Sequence, residues 1–214
     1  MGASIYAMSD MHGDLGAFEE ALKLVDLSDP GSRLVLCGDY VDHARSALGV
    51  CERIIALQEH FPEQVVALMG NNEATWLEDE DDGGAPCLPP HVRRWMRRLP
   101  LFYETPQQVF VHAGVDEEAG EEWKLGTEDY YFFSKFPATF GSFVKDVVAG
   151  HVGTVSMCGE PRVYWDGESH FYLDGSTEAT HHVPTLRYDL AARTYTTFSR
   201  GTDGTWAEHP VERG

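Results

Sequence analysis

Residues 3–8 (ASIYAM) run directly into Ser9-Asp10-Met11-His12-Gly13-Asp14 and then into 16–27 (GAFEEALKLVDL). The first segment is a short apolar run of the length of a buried strand, and the last carries apolar residues at helical spacing. Between them stand two carboxylates and an imidazole, with a glycine to let the chain turn. The pattern recurs at once: 33–37 (RLVLC) reads as a strand, 46–61 (SALGVCERIIALQEHF) as a helix and 64–69 (QVVALM) as a third strand. Strands alternating with helices predict an α/β domain with parallel pairing at its centre.

Further along, the acidic run from Glu78 to Asp82, Gly83-Gly84 and the stretch from Pro86 to Pro90 read as an exposed loop. An arginine-rich helix is expected over 91–99 (HVRRWMRRL). Strands are expected over 108–112, 144–149, 162–165, 170–173, 185–190 and 194–198. A chain of 214 residues, 43% hydrophobic and without repeat, linker or low-complexity tract, is expected to form a single domain over 1–214 around one core.

Sixteen Lys and Arg against 35 Asp and Glu give a formal charge of -19, so the long-range field repels polyanions and argues against an extended nucleic-acid partner. Cys37, Cys51, Cys87 and Cys158 stand far apart with no C-x-x-C pair, which fits neither a zinc knuckle nor a disulfide framework and makes a reducing cytoplasm the expectation. There is no stretch of 18 or more apolar residues, no basic leader and no myristoylation pattern, so no membrane association is expected. The sequence leaves oligomeric state open.

The residues that carry chemistry fall just after apolar strand runs. Asp10 and His12 follow the first strand, Asp39 and Asp42 the second and Asn71 the third; His112 ends the strand at 108–112 and His151 follows that at 144–149. Loops at strand ends project side chains into a shared crevice. Gly13, Gly38, Gly70, Gly114 and Gly150 stand beside these positions. Singly, each has a plain explanation as a turn residue or a hydrogen-bonded imidazole. Jointly, carboxylate, amide and imidazole at five strand ends suit divalent ions such as Mn, Fe, Co or Zn, and an Asp can bridge a pair of them.

Asp10-Met11-His12-Gly13, Gly38-Asp39-Tyr40-Val41-Asp42, Gly70-Asn71-Asn72-Glu73, His112-Ala113-Gly114 and Gly150-His151 together resemble the ordered motif series of the calcineurin-like metallophosphoesterases, nearest to the bacterial phosphoprotein-phosphatase type. The resemblance spans about residues 4–190. It implies a four-layer α/β/β/α sandwich of two mixed β-sheets flanked by helices, with a site for two divalent ions, manganese favoured, at one end. Carried over position by position, it implies a first metal on Asp10, His12 and Asp39 and a second on Asp39, Asn71, His112 and His151, with Asp39 as the bridge. The activity it implies is attack of a metal-acidified water on a phosphate ester of a small molecule or phosphoprotein.

Three departures from the family's pattern bear on substrate. The third motif normally reads Gly-Asn-His-Glu, its His a proton donor oriented by the Asp that corresponds to Asp42; here the donor position is Asn72, which cannot give up a proton. The Arg-Gly expected after Asp42 is His43-Ala44, so the resemblance leaves His43 and the neighbouring Arg45 as substitutes for a phosphate clamp. A second clamping Arg falls near Phe133-Ser134-Lys135, where Lys135 offers a point charge in place of a planar fork. Three readings follow: hydrolysis of a nucleotide or other phosphoanhydride with a good leaving group; hydrolysis of phosphoprotein or small monoesters with altered geometry; or a slow metal- and phosphate-binding protein, a pseudo-phosphatase.

Arg93, Arg94, Arg97 and Arg98 read chiefly as a solvated face pairing with the acidic run. His181-His182 is read as solvated or packed in preference to a further metal site, Asp174-Gly175 as structural, and Tyr130 to Phe133 with Trp123 and Phe136 as core bulk in preference to a pocket lining.

Overall fold

The computed structural model describes residues 2–42, 48–81, 88–201 and 203–213. In chain order the elements are β1 (Ser4–Met8), α1 (Leu15–Leu22), β2 (Arg33–Leu36), α2 (Leu48–His60), β3 (Val65–Ala67), α3 (Asn71–Asp81), α4 (Pro90–Met96), β4 (Phe102–Glu104) and β5 (Gln108–Val111). A 3₁₀ helix (Glu117–Glu122) leads into α5 (Trp123–Gly126), α6 (Asp129–Ser134), β6 (Asp146–Ala149), α7 (Thr154–Cys158), β7 (Tyr164–Trp165), β8 (His170–Tyr172), α8 (Thr177–Thr180), β9 (Thr185–Asp189), β10 (Thr194–Arg200) and β11 (Trp206–Pro210).

The strands form two mixed sheets, ordered β11-β10-β9-β1-β2-β3 and β4-β5-β6-β8-β7. β1, β2 and β3 pair in parallel, as the alternation with helices predicts, and β9 closes antiparallel on β1. In the second sheet β5, β6 and β8 are parallel and β4 and β7 are antiparallel edges.

Successive residues of a strand face opposite ways, and this alternation builds the layers. Ile5 and Ala7 of β1 meet Phe110, Val148 and Phe171 between the sheets, while Tyr6 and Met8 face Phe18, Val50, Ile54 and Val92 of the helices. On the outer face of the second sheet Val109, Val111, Val147 and Tyr172 pack on Trp123 and Phe132. The result is the expected four-layer α/β/β/α sandwich.

Two regions differ from the sequence expectation. The acidic run is not a loop as far as Asp81: it continues α3, which starts at Asn71 and is anchored by buried Glu73 and Trp76. The chain also adds β4 and β11 as sheet edges; β11 is exposed along most of its length, so no apolar alternation announces it. Arg94 of α4 and Arg97 and Arg98 just after it are exposed, while the acidic side chains from residue 79 to 82 lie outside the described residues.

Candidate metal centre

β1, β2, β3, β5 and β6 all deliver their C-terminal ends to one edge of the sandwich, and the polar motifs leave from there. The loops after β1 and β2 lie side by side, with Asp10 N–H donating to Gly38 O (3.0 Å), His12 N–H to Asp39 O (3.0 Å) and Gly13 N–H to Tyr40 O (2.9 Å). Asp10, His12, Asp39 and His151 all have left-handed backbone, with φ of 57°, 45°, 54° and 65°. Each such non-glycine residue costs roughly 1–2 kcal/mol, and their concentration at one edge marks a site held in shape by its surroundings. Gly38, with φ of 95°, permits a close approach: a Cβ there would stand 2.7 Å from the Gly70 backbone and 2.8 Å from His112 Nδ1.

One oxygen or nitrogen each from Asp10, His12 and Asp39 lie within 4.8 Å of one another, a spacing that one cation can span. The second group forms around Asn71, whose NH2 is turned to Asn72 Oδ1 (3.2 Å), so that its Oδ1 stands 2.8 Å from both His112 Nε2 and His151 Nδ1. His112 Nδ1 can only donate to the Cys37 carbonyl, 2.7 Å away. Burial holds the ring near pKa 4 and hence neutral, so its Nε2 carries a lone pair. That lone pair faces Asn71 Oδ1 at 2.8 Å and Asp39 Oδ1 at 3.3 Å. Acceptors that converge in this way suit a cation, and this donor set fits one. The sequence-derived ligands Asp10, His12, Asp39, Asn71, His112 and His151 are thus brought together at one edge.

The electrostatics point the same way. Burial and the charges of Glu73 and Asp10 push the Asp39 carboxyl well above its usual range. Burial also raises Asp10, but hydrogen bonding to His12 and the charge of that ring outweigh it and hold the carboxyl low. Burial disfavours charge on His12, yet Asp10, Asp39 and Glu178 hold its proton to about pH 10. A region that forces an imidazole to stay cationic is short of positive charge.

Asn72 donates through Nδ2 to Val41 O (3.0 Å), lies 3.2 Å from His12 Nδ1, and gives its backbone N–H to Asp39 Oδ1 (3.0 Å). It is therefore inside the site, as a fixed amide. Asp42, half-buried, follows Val41 in the same loop. The Lys135 ammonium is engaged by Glu117 and by Val115 O (2.6 Å), with its stem over Gly114, so taking a phosphate there requires opening that ion pair. His43 and Arg45 lie outside the described residues.

Sequence reasoning gave no role to Glu73 or Glu178, which shape this edge. Buried Glu73 accepts from Asp39, Tyr40, Val41 and Gly70 N–H and so pins the loop bearing Asp39. Glu178 Oε2 stands 3.8 Å from His12 Nε2, and His181 Nδ1 bonds Asp14 Oδ2 at 2.6 Å, fastening α8 across the mouth. Asp174, raised to about 8 by burial and the Asp10 charge, accepts from Ser176 N–H (2.7 Å). The His181-His182 pair diverges, since His182 is buried against Trp206. Among the aromatics, Trp123 and Phe132 join the core, whereas Tyr130, Tyr131 and Phe136 are exposed.

The model of the calcineurin-like phosphoesterase family matches residues 3–188. The chain belongs to that family. Among its phosphoesterase relatives, a symmetrical bis(5'-nucleosyl)-tetraphosphatase from Nitrosococcus oceani is 23% identical over 140 residues, covering 59% of this chain and 48% of that protein. One of the same description from Janthinobacterium is 25% identical over 122 residues, covering 51% and 43%. The matched regions thus span a little under half of these curated relatives. Similar solved folds include a putative diadenosine tetraphosphatase (TM-score 0.63, 17% identity, 100% of this chain and 96% of that one). Another is a cold-active protein-tyrosine phosphatase from a psychrophilic Shewanella (TM-score 0.66, 15% identity, 99% and 81%). At such identity the likeness is one of fold alone.

Proposed function

We propose that this chain is a dimetal phosphoesterase acting on small phosphorylated molecules with good leaving groups, nucleoside phosphoanhydrides foremost. The observation that carries the reading is the meeting of the His112 Nε2 lone pair with Asn71 Oδ1 and Asp39 Oδ1 at 2.8 and 3.3 Å, an arrangement of acceptors that suits a cation. Asp10, His12 and Asp39 would hold the first ion and Asp39, Asn71, His112 and His151 the second, with manganese favoured. Two such ions supply Lewis acidity toward phosphoryl oxygens and a water acidified toward neutral pH.

The chain's own residues set the preference. Glu73 fixes the Asp39 loop from behind, so the Asp39 carboxylate would be held in place when metal binds and charge develops. Asn72, locked onto Val41 O, orients neighbours but transfers no proton to a departing oxygen. General acid help is worth about 10²–10⁴ in rate. Its loss falls hardest on alkyl esters such as phosphoserine and lightly on phosphoanhydrides and aryl esters. The dinucleoside tetraphosphate activity in the names of the relatives supports the same class. A charge of -19 disfavours nucleic acid, and among the described residues no helix is long and apolar enough to cross a membrane. A cytoplasmic setting remains our expectation from the scattered cysteines.

The test is a leaving-group series on the manganese-loaded protein. The rate should fall steeply from aryl to alkyl phosphate, with dinucleoside polyphosphates cleaved well. Equal rates on aryl and alkyl esters would refute the role given to Asn72, and no turnover on any of them would favour a binding protein.

A further inference from the structure

A cavity of about 490 Å³ lies beside the metal centre, bounded by α8 and the turn between β10 and β11, with Thr180, His181, His182, Arg200, Asp203 and Gly204 among its walls. It is joined to the centre at both ends of α8's short course. Glu178 reaches His12 at 3.8 Å, and His181 Nδ1 is 2.6 Å from Asp14, two residues after His12. Ser176 and His181, either side of α8, both have left-handed backbone (φ 54° each), so this wall is held in a costly conformation.

Arg200 is spaced from the centre by α1. Asp14 caps that helix and bonds His181, while Glu20 of the same helix bonds Arg200 Nη2 at 3.1 Å. Six residues at a helical rise put these contacts roughly 9 Å apart, the span of a short polyphosphate chain. Arg200 Nε donates to Gly204 O (3.2 Å) and Nη2 faces Glu20, so that among the described residues Nη1 alone of the guanidinium nitrogens is left without a protein acceptor. His182 is 7% exposed and its Nε2 is a buried nitrogen without a partner. Asp203 turns one carboxylate oxygen to Thr205 N–H and Oγ1, leaving the other for sugar hydroxyls. A guanidinium, an imidazole and a carboxylate around a pocket this size suit a phosphorylated nucleoside better than bare phosphate.

We propose that this cavity is the subsite for the far end of the substrate, binding the nucleoside diphosphate portion of a nucleoside polyphosphate whose scissile phosphate lies at the metal centre, with Arg200 as its principal phosphate ligand. This rests on the phosphoesterase reading and moves the task of phosphate clamping, for which the family's arginine is absent at His43-Ala44, to a different element. It also sets specificity: substrates with a second phosphorylated group gain from the cavity, and simple esters do not.

The experiment uses the manganese-loaded full chain, titrated with ADP and assayed on p-nitrophenyl phosphate and diadenosine tetraphosphate. Arg200→Ala should weaken ADP binding and raise KM for the dinucleotide about tenfold or more, the effect of losing a charged hydrogen bond, while p-nitrophenyl phosphate hydrolysis stays within about twofold. Arg200→Lys, which keeps the charge but not the fork, should recover part of the loss. ADP binding unchanged in Arg200→Ala, or absent in the wild type, overturns the subsite whatever the turnover. Equal losses on both substrates overturn it too, since they would assign Arg200 to the fold. ADP binding that depends on Arg200 in a protein without turnover would keep the subsite and refute the hydrolase reading instead.

Discussion

Glu73 Oε2 accepts the backbone N–H of Asp39 at 2.8 Å. The same buried carboxylate also takes the N–H groups of Tyr40, Val41 and Gly70 at 2.8, 3.1 and 3.1 Å, so one side chain at the start of α3 fixes the loops after β2 and β3. Burial lifts its pKa to about 7 despite these four donors. Glu73→Gln would turn an NH2 toward N–H groups. We expect it to cost about 2–4 kcal/mol in urea unfolding, in the range for breaking a buried charged network, and to weaken manganese binding. A loss under about 0.5 kcal/mol, the size of an ordinary surface change, would contradict this role.

Gly150 lies against Asp10 Oδ2 and Ser9 Oγ so closely that a Cβ could not fit. Gly150→Ala must push the Asp10 carboxylate out of line. The expected result is a modest stability loss of about 1–3 kcal/mol together with a drop in bound metal, read by elemental analysis of the folded variant. Full metal content in Gly150→Ala would show that Asp10 is not held where a ligand must be.

Asn72→His restores a proton donor at a position already 3.2 Å from His12 Nδ1. Alkyl phosphate cleavage should rise about 10²-fold or more, while aryl phosphate cleavage changes little. No gain on alkyl esters would show that phosphate clamping, not proton donation, limits the rate.

His182 supplies a pH test away from the metals. Burial, and next the Arg200 charge, lower its pKa from 6.5 to about 4. Between those values the unfolded chain binds a proton that the folded chain refuses, so this stability is full above pH 6.5 and lost as pH falls toward 4. Relative to His182→Phe, the wild type should lose on the order of 2 kcal/mol across that window. Parallel pH profiles for the two proteins would contradict the assignment.

The fold and the ligand candidates were legible because they rest on local signals: apolar runs of strand length, each ending in Asp, Asn or His beside a glycine. Asp10, His12, Asp39, Asn71, His112 and His151 meet because parallel strands send their C-terminal ends to one edge. Glu73 was visible as a motif letter, but its purpose depends on four backbone groups up to 34 residues away. The acidic end of α3 misleads because helix formation there is set by its anchored start, not by a run of charges. Lys135 has the right charge for a clamp, yet Glu117, 18 residues away in sequence, engages it. Nor does any local pattern bring Glu178 and His181 to the centre or Arg200 to α1, since those contacts cross from α8 and β10 back to α1 and the loop before it.

The central claim is the dimetal site, and metal content tests it most directly. Protein purified without chelator and incubated with manganese should retain about two equivalents per chain. Asp39→Asn should lose metal together with hydrolysis of p-nitrophenyl phosphate. Failure of the folded wild-type protein to retain any divalent metal would contradict the account.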